Sequence, residues 1–169
     1  IPQENKFALT TEFLDKYRGK QPKFGPLGYV VFLRTYSRLL PDGTQEQFWQ
    51  TCQRVVEGAY SILKNQIKRA HSRWSDDEAQ LKAQDMYQRM FDFKFLPPGR
   101  GLYAMGTPII EKMGGMALNN CAARSTKDID QDFASPFCDL ADWSMCGVGV
   151  GYDVRGAGKV TIQKPKISN

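Results

Sequence analysis

Histidine is nearly absent from this chain: His71 is the only one in 169 residues. That scarcity removes most zinc sites and any Ser-His-Asp or Cys-His relay built within the chain. Cysteine is sparse as well, and Cys52, Cys121, Cys138 and Cys146 include no C-x-x-C pair. On one helix, Cys138 and Cys146 would stand about 12 Å apart along the axis. A disulfide needs Cα atoms within roughly 7 Å, so reduced thiols are expected there. No apolar run approaches the roughly 20 residues that span a bilayer, and the opening IPQENKFALTTEF has no leader pattern. The expectation is a cytoplasmic protein without a membrane partner.

The residues that are present fit a globular domain. Apolar residues make up 41% and charged residues 24%, which leaves enough of both for a buried core and a wet surface. The net charge of +5 is dispersed. Its densest cluster, Lys64, Lys68, Arg69, His71 and Arg73, interleaves with polar residues and reads as a solvated helix face. No nucleic-acid motif accompanies it, so no direct nucleic-acid partner is expected. A diffuse positive field suits phosphorylated small substrates.

The chain is expected to be mainly helical over residues 1–95. Its first ten residues read as a loose tail, followed by a short helix over 11–18. GKQPKFGPLG reads as a connector, and YVVFLRTYSRLL as either extended or helical. Pro41-Asp42-Gly43 marks a turn. Thr44 and Gln47 have capping-box spacing. Behind them Phe48, Cys52, Val55, Val56, Ala59, Tyr60, Leu63 and Ile67 recur at helical steps, which makes Cys52 a core residue. Ser75 and Glu78 open a second amphipathic helix carrying Ala79, Ala83, Met86, Tyr87 and Met90.

After Phe95 the texture changes. LPPGRGLYAMGTP reads as a compact loop, and Thr107-Pro108 as the cap and first residue of a single helical turn. MALNNCA reads as a short buried strand. A helix is expected from about Ser135 to Cys146, with Phe133, Phe137, Leu140, Ala141 and Met145 on its buried side. GVGVGYDV reads as a strand left bare by its glycines, and KVTIQ as a final short strand. Strand, helix and strand make one βαβ unit. A lone parallel pair lacks cover and neighbours, so the sequence reads as the front part of a larger α/β protein.

Cys121, in GGMALNNCAARST, is by spacing alone either a core-filling thiol or a reactive one. GVGVG follows a helix and therefore lacks the strand–glycine–helix order of a dinucleotide fold. Taken singly, these motifs are weak. In series, FLPPGRGLYAMGT, then ALNNC with its cysteine fourteen residues after that threonine, then SPF, a helix and GVGVGYDV carry more weight.

That series resembles the opening of the catalytic barrel in adenosylcobalamin-dependent (class II) ribonucleotide reductases, particularly the monomeric ribonucleoside-triphosphate type. LGYVVFLRTYSRLLPDG and RVVEG are similar to that family's N-terminal region. The resemblance implies an α/β fold: an N-terminal helical region, then, over residues 96–169, the first βαβ unit of a ten-stranded α/β barrel, incomplete here. It implies adenosylcobalamin as cofactor, bound mainly outside this chain, and thiyl-radical reduction of a ribonucleotide substrate. Cys121 would be one of two redox-active cysteines, its partner outside this chain. Thr107, Asn120, Gly149, Gly151 and Tyr152 would line the nucleotide pocket. Ser135, Pro136, Phe137 and Asp142 would lie near the site of a deoxynucleotide effector. A thioredoxin-like reductant and the C-terminal remainder of the enzyme would be partners, without which this chain should not turn over. No protein-held metal ion is expected within the chain.

Two departures from the family pattern stand out: Tyr103 where a tryptophan is common, and Ala122-Ala123 where bulkier residues are common. Neither removes a functional group. Two other readings stay open at this level. One is a non-catalytic nucleotide-binding or interaction module. The other is a fragment of a class I-type large subunit.

Overall fold

The computed structural model describes residues 1–127, 129, 132–153, 156 and 158–161. They form two compact units, residues 1–112 and 113–169.

The first unit is helical. Helix α1 (Thr11–Leu14) is followed by α2 (Gly25–Val31), which runs into a π-helical turn at Phe32–Tyr36. The connector therefore ends earlier than its composition suggests, because Pro26 sits in the first helical turn, where no amide is needed. Two long helices follow, α3 (Phe48–Arg69) and α4 (Asp76–Phe91). The cap of α3 is Gln47 with Gln50, the Gln47 amide donating to Gln50 Oε1 at 2.8 Å. Thr44 is diverted from the expected capping role. Its amide and hydroxyl both donate to Asp42 Oδ1, closing the Pro41-Asp42-Gly43 turn. The cap of α4 is Ser75, whose Oγ accepts from the Glu78 amide, as the spacing predicts.

The core lies between α3 and α4. Phe48, Cys52, Val55 and Val56 meet Ala79, Ala83, Tyr87 and Met90, all buried. Burying each large apolar side chain contributes roughly 1.5–3 kcal/mol. Leu63, expected on the same stripe, is exposed. Tyr87 is wholly buried and donates to the Trp49 carbonyl at 2.9 Å, which satisfies its one polar atom. Its burial pushes the phenol well above the usual tyrosine range.

The first ten residues are not a loose tail. Phe7 and Leu9 are buried in the core. The Phe7 amide donates to Ser61 Oγ at 2.9 Å, and the Leu9 amide to Glu57 Oε1 at 3.0 Å. Side chains of α3 thus stand in for a strand partner, a pairing that hydrophobic periodicity does not encode. The basic residues expected on a wet helix face are largely exposed, Lys68 and Arg69 in the last turn of α3 and His71 and Arg73 beyond its end. Lys64 is the exception, pairing with Asp76 at 3.0 Å.

The segment expected as a proline–glycine loop contains a helix, α5 (Gly99–Ala104), with Pro98 at its N-cap. Helix α6 (Pro108–Met113) follows Thr107, whose Oγ1 accepts from the Ile109 amide as expected of a cap. Gly114 then takes φ +68° and the chain enters a 3-10 turn over Gly114–Leu118.

In the second unit β1 (Cys121–Arg124) is shorter than predicted, because that 3-10 turn takes up Met116 to Leu118. Helix α7 (Ser135–Met145) leads to β2 (Gly149–Tyr152), which pairs parallel with β1. The βαβ reading thus describes the observed order. Gly147 belongs to neither strand: with φ +80° it ends α7. Its amide donates to the Ser144 carbonyl, and the Val148 amide to that of Trp143. This double closure needs a left-handed residue, which glycine supplies. The apolar residues expected on the buried side of α7 are largely open, Phe137 at 45% and Met145 at 71% exposure. The final strand expected over 159–163 does not form at Lys159–Thr161, and residues 162 and 163 lie outside the described residues.

Candidate functional site

The two units each hold part of the predicted set, and each part can be built from its own residues.

In the second unit the parallel register places Cys121 opposite Gly149, Ala122 opposite Val150, Ala123 opposite Gly151, and Arg124 opposite Tyr152. Alternation sends the odd-numbered positions to one face of the pair and the even-numbered ones to the other. Helix α7 covers the even face. Arg124 Nε lies 2.6 Å from Asp139 Oδ2, and Arg124 Nη2 donates to Ser135 Oγ at 3.0 Å. The Tyr152 hydroxyl donates to the Pro136 carbonyl at 3.1 Å, and its ring meets Phe137 edge-on at 5.9 Å between centroids. The odd face carries Cys121, Ala123 and two glycines, all exposed. The thiol therefore stands on a floor almost free of side chains. Asn120 precedes it, and its carbonyl accepts from the Gly149 amide at 2.9 Å, which fixes the start of the ladder.

The structure thus brings Cys121, Asn120, Gly149 and Gly151 together. It gathers Ser135, Pro136 and Phe137 around Tyr152 on the opposite face. Asp142 lies exposed on α7, one turn beyond Asp139. All four cysteines are free, and the exposed Cys121 contrasts with the buried Cys52, whose thiol burial pushes far above the usual range.

Thr107 belongs to the first unit, and its surroundings explain two motifs that looked independent in the sequence. Within RVVEG, Arg54 and Gly58 lie against the AMGT turn. A Cβ on Gly58 would come within 2.6 Å of the Gly106 backbone, so only glycine permits the approach. Gly106 has φ +73° and lies against the Arg54 carbonyl. The Arg54 guanidinium donates to the carbonyls of Leu102 and Met105, and it grips both oxygens of Glu46 at 2.8 and 3.0 Å. The Glu46 side chain is only 3% exposed and also accepts from the Thr51 hydroxyl at 2.7 Å. On another side of the same segment, the Arg38 guanidinium lies 4.0 Å from the centre of the Tyr103 ring. Thr107 Oγ1 donates to the Ala104 carbonyl at 2.7 Å.

Sequence reasoning missed Glu46, Arg54, Arg38, Arg124 and Asp139. One signal was available: Gly58 sits inside a long helical pattern, where glycine costs about 1 kcal/mol and marks close approach. Glu57, also from RVVEG, accepts from the Leu9 amide and from Gln53 Nε2. Burial raises its carboxyl above the ordinary range. Among the described residues no three His, Cys, Asp or Glu side chains gather to hold a metal ion. Nor is any helix among them long and apolar enough to cross a membrane.

Comparison with known proteins shows which family the chain resembles. The chain is 45% identical over 98% of its length to the adenosylcobalamin-dependent ribonucleoside-triphosphate reductase of Euglena gracilis, of which it covers 23%. The protein of the same name from Lactobacillus leichmannii is 31% identical over 88% of the chain, covering 22% of that protein. Among solved structures, a B12-dependent (class II) ribonucleotide reductase matches with a TM-score of 0.69 at 30% identity, over 88% of this chain and 23% of the other. The chain thus spans under a quarter of the length of these relatives. Residues 9–107, which include the whole Glu46–Arg54–Gly58 assembly, match the ribonucleotide reductase alpha domain, and this chain belongs to that family.

Proposed function

We propose that this chain is the N-terminal part of an adenosylcobalamin-dependent ribonucleoside-triphosphate reductase, which converts ribonucleotides to deoxyribonucleotides for DNA synthesis. The observation that carries the reading is 45% identity, sustained over nearly the whole chain, to a relative of that name. Residues 1–95 form its helical N-terminal region, and residues 96–169 open the catalytic α/β barrel.

Cys121 is one of two redox-active thiols. A thiol carries a proton that it can give to a departing hydroxyl. Across the reaction two thiols become one disulfide and supply two electrons and two protons. The ribose 2′-hydroxyl leaves as water and hydrogen takes its place. The second thiol comes from the part of the protein that this chain does not span, and a thioredoxin-like reductant restores the pair. The open, glycine-lined face beside Cys121 supports close approach of a substrate to this thiol. Thr107, Asn120, Gly149, Gly151 and, through its backbone, Tyr152 contribute to nucleotide binding. Ser135, Pro136, Phe137 and Asp142 lie in the effector region, for a deoxynucleotide. The enzyme works in the cytoplasm.

Adenosylcobalamin supplies the radical that starts the reaction. Its binding surface is assigned mainly to the part of the protein that this chain does not span.

The test is Cys121→Ser in the full-length protein. Loss of cobalamin-dependent reduction with nucleotide binding retained is the expected result. Unchanged turnover overturns the redox assignment, and reduction without added cobalamin overturns the class.

A further inference from the structure

We propose that Arg54 is a positioning residue for the nucleotide, setting Thr107 by clamping the turn between α5 and α6 onto α3. The inference rests on the assignment of Thr107 to the substrate made above.

The carbonyls of Leu102 and Met105 lie at the C-terminal end of α5, where a helix has no amides left to satisfy them. Arg54 supplies both donors, and its positive charge suits the negative end of the helix. The guanidinium cannot swing away, because both Glu46 oxygens hold it. Glu46 is fixed in turn by the Thr51 hydroxyl and, at 3.3 Å, by the Arg38 amide. Gly106 follows directly, in a left-handed conformation against the Arg54 carbonyl. The next residue is Thr107, whose hydroxyl is tied to Ala104 on one side and to the Ile109 amide on the other. The Thr107 hydroxyl is thus tied through Ala104 to the turn that Arg54 holds, and through Ile109 to the first turn of α6. Lysine cannot replace it: one ammonium nitrogen cannot serve two carbonyls and two carboxylate oxygens in a fixed fork.

The experiment is a double-mutant cycle in the full-length reductase with Arg54→Lys, Thr107→Val and the pair. Arg54→Lys is expected to raise the nucleotide KM about tenfold with kcat nearly unchanged. Thr107→Val is expected to do the same, and Thr107→Ser, which keeps the hydroxyl, to restore KM. The pair should bind no worse than Thr107→Val alone, since both changes act through one group. If Arg54→Lys does not fold, Glu46→Gln loosens the same guanidinium and carries the same expectation. A lowered melting temperature with unchanged KM, or an additive pair, makes Arg54 merely structural and overturns the inference. An unchanged KM in Thr107→Val overturns the assignment of Thr107 itself, and the inference falls with it.

Discussion

Cys121 faces Gly149 across a parallel ladder, so the neighbour beside its thiol has no side chain. A Cβ at Gly149 would meet only the Asn120 carbonyl, at 3.5 Å, an ordinary contact. Gly149→Val therefore fits the strand and shields the thiol. Alkylation of Cys121 by iodoacetamide in the native protein is expected to slow severalfold, with circular dichroism unchanged. Cys138, also exposed, serves as the internal control. Cys52 should react only after unfolding, because burial keeps both reagent and ionisation away from it.

Arg54→Met leaves Glu46 buried without its cation. The expected loss is about 3–5 kcal/mol of stability, read from urea denaturation. Glu46→Gln combined with Arg54→Met removes both charges and should recover part of that loss. Recovery of none would mean that the ion pair matters less than the two carbonyls it serves.

Gly58→Ala sets two effects against each other. Alanine gains about 1 kcal/mol in helix propensity. Its methyl would sit 2.6 Å from the Gly106 backbone, which cannot yield as a flexible side chain would. Overpacking of this kind costs about 1–3 kcal/mol, so the net change is expected to be destabilising. Thermal unfolding of the variant against the parent checks the sign.

Glu57 gives a pH dependence of defined sign. Its carboxyl titrates higher in the folded chain than in the unfolded one, because burial penalises the charged form. Between those two values the folded state binds more protons, so stability falls as pH rises through that window. Glu57→Gln keeps an oxygen for the Leu9 amide and removes the titration. The variant should be at least as stable as the parent at neutral pH and should lose this slope, measured as melting temperature from pH 4 to 8.

The long helices were legible because their apolar residues recur at helical steps and one clear cap, Ser75, precedes α4. The βαβ order was legible from the change of texture after Phe95 and the strand, helix and strand patterns that follow it. Three things were not. The burial of Phe7 and Leu9 depends on polar side chains of α3 completing their backbone, which no local pattern carries. Helix α5 hides in a proline–glycine segment because its two prolines fall before the helix and its end is satisfied by Arg54, about fifty residues away. The open face of α7 reads as core by composition, since apolar periodicity reports which side is greasy and not what covers it. For the candidate site, the cysteine and its glycines could be named from motifs. The glycine–glycine contact joining RVVEG to AMGT required coordinates.

Covering one side of the strand pair with α7 has a stereochemical consequence. A molecule meeting Cys121 can come from a single hemisphere, and the sulfur can reach only the side of that molecule turned toward the ladder. The cover by α7 thus fixes the direction from which the thiol is met, and the contacts made on the open face decide which side of the molecule is presented.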